Sequence, residues 1–231
     1  MPQDLHNRLK LELINYFGAY VSDHKKALID RVLAQRTRYL SVVVEDIYQS
    51  QNASAVLRTC ECLGIQDFHV IENHTRYEIN KRVVMGASKW VNVIRHRQKG
   101  INNTLACYRQ LKEKGYRLVA TVPTADAVPL DELPIDQKLA IVLGNELRGL
   151  SKEAIEEADL KSCIPLHGFT ESFNISVTAA IYLHALMGRL RESEKAWGLG
   201  RDELIDLKLE WFRKTVKRAE VLEKEFLRSF E

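Results

Sequence analysis

Glycine and proline are sparse, eleven and five of 231 residues, too few for a collagen-like or low-complexity chain. Apolar runs are short: none approaches the roughly 18 residues that a membrane span needs. The opening segment MPQDLHNRLK has no apolar signal core, so secretion is not expected. Cysteine is scarce too. Cys60, Cys62, Cys107 and Cys163 form neither a CxxC pair nor a zinc-ligand spacing, and they read as thiols of a reducing compartment. The expectation is a soluble cytoplasmic protein with no metal and no membrane partner.

The signatures of common nucleotide and hydrolase sites are missing as well. No GxGxxG follows the first apolar strand, which removes a dinucleotide site. Gly144–Gly149 reads GNELRG, but Leu150 and Ser151 follow where a phosphate-binding loop needs Lys and Ser/Thr. HExxH and GxSxG do not occur. Dehydrogenase, NTPase, zinc protease and serine hydrolase readings lose their motifs.

What is present is an ordinary globular composition, 45% hydrophobic and 28% charged, with a formal net charge of +3. The charge is unevenly spread. Residues 76–117 carry eleven Lys/Arg against Glu78 and Glu113, whereas residues 118–171 carry four basic against ten acidic residues. A block of +9 in a nearly balanced chain is a hint of a polyanion surface, although one such block is more often a solvated face.

Apolar periodicity predicts helices over 4–17 and 22–36, the second capped by Ser22, then the strand 40–44. A helix over 52–63 stopped by Gly64, strands at 68–71 and 91–94 with a short helix between, and a helix over 102–114 closed by Gly115 follow. Strands at 117–121 and 139–143, a helix at 151–158, a strand near 163–166 and helices over 174–192 and 201–230 complete the pattern. In the last helix Leu204, Leu207, Trp211, Thr215, Ala219, Leu222, Phe226 and Phe230 form one stripe. Short strands alternating with helices predict an α/β fold with a mostly parallel sheet and helices on both faces. The expected organisation is an N-terminal helical extension (1–37), a catalytic domain (38–192) and a C-terminal helical extension (193–231).

Three segments carry more polar strand-end chemistry than a core requires. Gln51-Asn-Ala-Ser-Ala-Val-Leu-Arg58 follows the first strand; alone, its Asn52 and Arg58 read as a cap and a surface ion pair. Leu143-Gly-Asn-Glu-Leu-Arg-Gly149 leaves the most apolar strand as a glycine-bracketed loop, suited to close approach of backbone to a ligand. Ile164-Pro-Leu-His-Gly-Phe-Thr-Glu-Ser-Phe-Asn-Ile-Ser176 enters an apolar helix with Ser172, Asn174 and Ser176 alternating at its start.

In this order and spacing the three segments resemble the motifs of the SPOUT-class RNA ribose 2′-O-methyltransferases, most closely the TrmH (SpoU) branch of tRNA guanosine-18 methyltransferases. Arg31-Val-Leu-Ala-Gln-Arg-Thr-Arg38 and Met85-Gly-Ala-Ser-Lys-Trp-Val91 add to the likeness, which spans roughly residues 29–190. Departures are Gln51 where His is common, Leu147-Arg148 where Lys often follows the Glu, and Phe173 for Leu.

The resemblance implies a C-terminal trefoil knot, a rare exception to unknotted topology, S-adenosyl-L-methionine (AdoMet) as cofactor, tRNA as substrate and a homodimer. It implies a cofactor site walled by Thr121, Pro123, Gly144, Leu166 and Ile175. It also gives chemistry to Arg58, with Glu146, Ser172 and Asn174 orienting it and Asn52 positioning motif one. A guanidinium holds its proton throughout the neutral range, and neutralising one would cost roughly 7 kcal/mol. Arg58 is therefore expected to grip phosphate and stabilise the developing alkoxide rather than to act as a simple base. Phosphate contacts are expected from Arg31, Arg36, Arg38, Lys81, Arg82, Lys89, Arg95 and Arg97, with Arg148 also facing RNA. Rival readings are ribose methylation of another RNA, such as 23S rRNA or another tRNA position, and a non-catalytic RNA-binding protein of the same fold.

Overall fold

Two helices, α1 (Gln3–Gly18) and α2 (Asp23–Leu33), lead the chain in this computed structural model, which describes residues 3–228. Then come β1 (Leu40–Glu45), α3 (Ser50–Leu63), β2 (Asp67–Ile71), α4 (Lys81–Val84), β3 (Asn92–His96) and α5 (Asn103–Glu113). β4 (Arg117–Thr121), β5 (Val128–Pro129), β6 (Leu139–Leu143), α6 (Lys152–Glu156), β7 (Leu160–Cys163) and α7 (Ile175–Glu192) follow. The last described helices are α8 (Arg201–Thr215) and α9 (Ala219–Arg228). The strands lie in the order β3-β2-β1-β6-β4-β7-β5, with every neighbouring pair parallel.

The central strands explain why the sheet must be covered twice. Leu40, Val42 and Val44 of β1 join Leu139, Ile141 and Leu143 of β6 on one face, packed under α3 and α7 through Val56, Leu57, Tyr182, Leu183 and Leu186. Val43, Ala140 and Val142 point to the other face, under Cys107, Tyr108 and Leu111 of α5 and Ala154 of α6. Each large side chain buried this way contributes roughly 1.5–3 kcal/mol. Gly64 closes α3 in the left-handed region, φ 86°, where a glycine carries no steric penalty.

Several boundaries differ from the sequence expectation. β7 ends at Cys163, because Pro165 has no N–H for the ladder; Ile164 and Leu166 instead leave the sheet. β3 runs one residue later and on to His96, its polar end hiding it from an apolar pattern. β5, two residues with a proline, was too short to register as a strand. The charged helix expected over 201–230 is two helices, with Arg218 at φ 56° between them. Arg213 and Glu223 pair across that break, and Phe226 packs on Tyr16 with ring centroids 5.2 Å apart. Leu207, Trp211 and Ala219 of the expected stripe are buried, and Phe230 lies outside the described residues.

The chain divides into two compact units, residues 37–197 and the described parts of 1–36 and 198–231. The N- and C-terminal segments, expected as separate extensions, thus pack on each other: α8 lies against α1 and α2, and α9 against α1. Phe17, Ile29, Leu33, Ile205, Leu209, Trp211 and Phe212 are among the buried apolar side chains of this helical unit.

Candidate active site

In a parallel sheet the strand ends open where the chain turns into helices, and ligands bind there. The carboxyl ends of β4, β6 and β7 border a cavity of about 480 Å³ closed by the N-terminal turns of α3 and α7. That volume is within the range of small-molecule sites. Its walls include Thr121, Pro123, Gly144, Leu166 and Ile175, all five expected cofactor residues. Asn52, Glu146, Ser172 and Asn174 line it too.

The three motif segments meet through side chains. Glu146 accepts hydrogen bonds from the Tyr48 N–H (3.0 Å) and the Gln49 N–H (3.3 Å), and from Asn52 Nδ2 (2.8 Å). Gln49 is the N-cap residue of α3 but makes no side-chain cap bond; Glu146 reaches in from another segment to the N-cap amide and the one before it, a carboxylate placed at the positive end of the helix. Asn52 is therefore not the cap; it sits within the first turn and links the motifs. Its Oδ1 accepts from Asn174 Nδ2 at 3.2 Å. Asn174 caps α7, with Oδ1 accepting from the Ser176 N–H (2.8 Å) and hydroxyl (2.7 Å). Ser172 lines the cavity without a hydrogen-bond partner among the described residues.

The glycine-bracketed loop has a cause within the chain itself. A Cβ on Gly144 would lie 2.3 Å from the Gly149 carbonyl carbon and 2.4 Å from the Leu150 nitrogen. The loop closes on itself through two backbone bonds between Asn145 and Gly149, 2.9 and 2.8 Å, and Gly149 sits at φ 70°. Chain meeting chain is enough to require a glycine at 144, whose backbone also borders the cavity.

Arg58 stands apart. It is exposed, lies outside the cavity lining and has no hydrogen bond or ion pair among the described residues. Six residues along a helix amount to about 9 Å and a phase of roughly 120°, so Arg58 cannot share the face Asn52 uses. Within this chain none of Glu146, Ser172 and Asn174 touches Arg58; Glu146 and Asn174 are joined through Asn52 instead.

The cavity's chemistry tests the fit of AdoMet. Its lining holds the carboxylates of Glu146 and Glu171 and no Lys, Arg or His, unlike a polyphosphate site. Apolar walls from Val122, Pro123, Leu166 and Ile175 suit a flat heteroaromatic ring, and the carboxylates suit a cationic ligand. The residues present fit a sulfonium-bearing nucleoside. Val122, Ser162, Cys163, Glu171 and Tyr182 also line the space and were not foreseen. Ile175, Thr178 and Tyr182 recur at three and four, a helical signal that the motif alone did not extend to. The Tyr182 hydroxyl donates to Ser162 Oγ at 3.1 Å, and burial pushes its pKa up to about 12.

The expected phosphate contacts divide. Arg31, Lys81, Arg82, Lys89, Arg97 and Arg148 are exposed. Arg36 is a correction: it is 1% exposed, its guanidinium 5.2 Å from the Trp211 ring centroid, buried within the helical unit and out of reach of a phosphate. Arg38 pairs with Asp67 at 3.0 Å. Arg95 is held by Glu72 (2.8 and 2.6 Å) and the Tyr77 carbonyl (3.1 Å). Burial alone would raise the Glu72 carboxyl; the Arg95 guanidinium and the Tyr77 N–H hold it below its usual range.

The chain is 42% identical, over 92% of its length and 95% of the relative's, to the tRNA (guanosine(18)-2'-O)-methyltransferase of Borreliella burgdorferi. It superimposes on the TrmH/SpoU tRNA modifying enzyme of A. aeolicus with a TM-score of 0.72 and 27% identity, over 84% of this chain and 98% of that one. The SpoU methyltransferase AviRb of Streptomyces viridochromogenes, solved with AdoMet, shares the fold at 21% identity and a TM-score of 0.58, over 71% and 62% of the chains. With residues 39–184 matching the model of the SpoU rRNA Methylase family, which takes in the sheet, the cavity and most of α7, the chain belongs to that family.

Proposed function

We propose that this chain transfers the methyl group of AdoMet to a ribose 2′-hydroxyl of tRNA, at guanosine 18. The observation that carries the reading is the convergence of three motif segments on one cavity with two carboxylates and no basic lining residue. The guanosine-18 assignment leans on the likeness to the Borreliella enzyme along nearly the whole of both chains. When bound, AdoMet supplies an electrophilic methyl group already activated by its positive sulfur.

The chain's own residues have two tasks: to hold the reacting groups in line and to manage the charge left on oxygen. Glu146, Asn52 and Asn174 form one hydrogen-bonded strut that fixes the mouths of α3 and α7, with Ser172 beside it. Arg58, exposed and unpaired among the described residues, clamps the RNA phosphate and stabilises the negative charge that develops on the 2′-oxygen as the hydroxyl proton passes to water. Lys81, Arg82, Lys89, Arg97, Arg31 and Arg148 contribute phosphate contacts. The reading also includes a homodimer in the cytoplasm, with α7 near the interface through exposed Val177 and through Phe173 just before the helix, and the trefoil knot of the SPOUT class.

Single-turnover transfer from labelled AdoMet to a tRNA transcript tests the reaction. Label is expected on the unmodified transcript and not on one carrying 2′-deoxyguanosine at position 18. Equal labelling of both would remove the position. Labelling of 23S rRNA fragments alone would move the substrate to ribosomal RNA.

A further inference from the structure

Asp46, the residue after β1, combines features that the strut above does not explain. It has a left-handed backbone, φ 48°, a conformation that costs a side chain energy unless its surroundings hold it. One carboxylate oxygen, Oδ1, accepts three consecutive backbone N–H groups, from Asn73 (2.9 Å), His74 (2.8 Å) and Thr75 (2.9 Å). Its carbonyl oxygen accepts from Asn145 Nδ2 at 2.6 Å. Asn145 in turn accepts the Leu147 N–H (2.9 Å) and the Arg148 N–H (3.2 Å) on its own Oδ1. Three side-chain-mediated links thus tie residues 46–49 to residues 145–146: the Asp46 carbonyl to Asn145, and Tyr48 and Gln49 to Glu146.

We propose that Asp46 is a positioning residue for the methyl-transfer site: its carboxylate locks the backbone that aims the Asp46 carbonyl at Asn145, and so sets the loop that carries Glu146. Asp46 does not line the cavity. It acts through Asn145, which does. The side chain fixes the backbone, the backbone fixes the loop, and the loop holds Glu146 against α3. The consequence for activity rests on the methyltransferase reading; the consequence for the loop does not.

Three substitutions separate the parts. Asp46→Asn keeps an Oδ1 acceptor and a side chain that tolerates φ > 0. Asp46→Gly relieves the backbone but removes the acceptor. Asp46→Ala removes both. Deuterium exchange of the ligand-free protein reads the amides of residues 73–75 and 147–148; calorimetry reads AdoMet affinity; single-turnover transfer at saturating AdoMet reads the rate. Asp46→Asn is expected to stay within about threefold of wild type in each. Asp46→Gly and Asp46→Ala should expose both amide groups to exchange, weaken AdoMet and slow transfer by about tenfold to a hundredfold. Unchanged exchange at 147–148 in Asp46→Gly would overturn the proposal. So would Asp46→Asn failing as badly as Asp46→Gly, since charge rather than the acceptor would then matter. A wild-type protein inactive on every RNA, with loop exchange raised in Asp46→Gly, would sink the methyltransferase reading and leave the loop role standing.

Discussion

Arg58 is the residue whose chemistry and surroundings disagree most with a structural role. It is exposed, and none of the described residues pairs with it. It lies outside the cavity, so its truncation should leave AdoMet affinity unchanged while cutting the rate. Arg58→Ala is expected to lower single-turnover methyl transfer by roughly two orders of magnitude, the scale of one lost charge-stabilising donor. Arg58→Lys should rescue little, because an ammonium cannot grip two oxygens side by side. Near-wild-type transfer by Arg58→Ala would end the assignment. A buried histidine pair makes stability depend on pH. His69 and His96 are buried, hydrogen-bonded Nδ1 to Nε2 at 3.0 Å and stacked at 16°, with the Cys107 thiol beside them. Burial, then the His96 charge, lowers His69 to about 3, and burial lowers His96 as well. The folded His69 imidazole thus stays neutral well below the pH at which an unfolded histidine, near 6.5, takes up a proton, and His96 is shifted in the same direction. Stability is therefore full above that pH and falls as the pH drops below it. His69 alone should remove about 2 kcal/mol between pH 7 and 5. Urea midpoints across that range measure it. His69→Gln, which keeps a donor and an acceptor, should reduce the slope, and an unreduced slope would place the protons elsewhere.

Among the elements, the loop from Gly144 to Gly149 is the most demanding piece of backbone. No rearrangement of a flexible side chain can admit a Cβ at Gly144, since the atoms it would meet belong to the backbone of Gly149 and Leu150. Gly144→Ala should open the Asn145–Gly149 bridge and displace Glu146 from α3. The expected result is AdoMet binding weaker by about tenfold or more in a protein with wild-type far-ultraviolet circular dichroism. Unaltered calorimetric affinity would mean the loop tolerates a shift. Strands such as β1, β4 and β6 were legible because apolar, β-branched runs covered on both sides have few alternatives. Capping residues were legible for a similar local reason, Ser22 and Asn174 each accepting an amide of the helix it opens. What stayed hidden was set by distant partners. The break between α8 and α9 has no Gly or Pro to announce it; it depends on the Arg213–Glu223 pair and the Tyr16–Phe226 contact. The network at Asp46 and the buried Arg36 were invisible for the same reason, since each is defined by residues 27 to 175 positions away. The site's walls could be named from motifs, but the strut between Glu146, Asn52 and Asn174 needed the fold to bring three segments together.

At the scale of the whole molecule the question is which positive charges face solvent and which hold the protein together. Net charge is a poor guide, because +3 conceals a segment of eleven basic residues between 76 and 117. Two populations emerge from the structure. Arg95, on Glu72, and Arg117, on Asp136, are neutralised in bidentate pairs, and Arg36 is sealed beneath Trp211. Lys81, Arg82 and Arg97 are exposed and carry no ion pair among the described residues. A polyanion releases counterions only to charges that reach its phosphates, so salt dependence counts the second population and ignores the first. Replacing Lys81, Arg82 and Arg97 together with Glu should flatten the plot of log tRNA affinity against log salt by about two units or more. AdoMet binding should be untouched, since none of the three lines the cavity. Arg36→Ala makes the converse case. It should lower the thermal midpoint through lost packing on Trp211 and leave the salt slope where it was. Filter binding over a salt series, with calorimetric unfolding of both variants, separates them. A slope unmoved by the triple substitution would assign those charges to solvation, and a slope flattened by Arg36→Ala would show that phosphates are held through the helical unit's buried arginine after all.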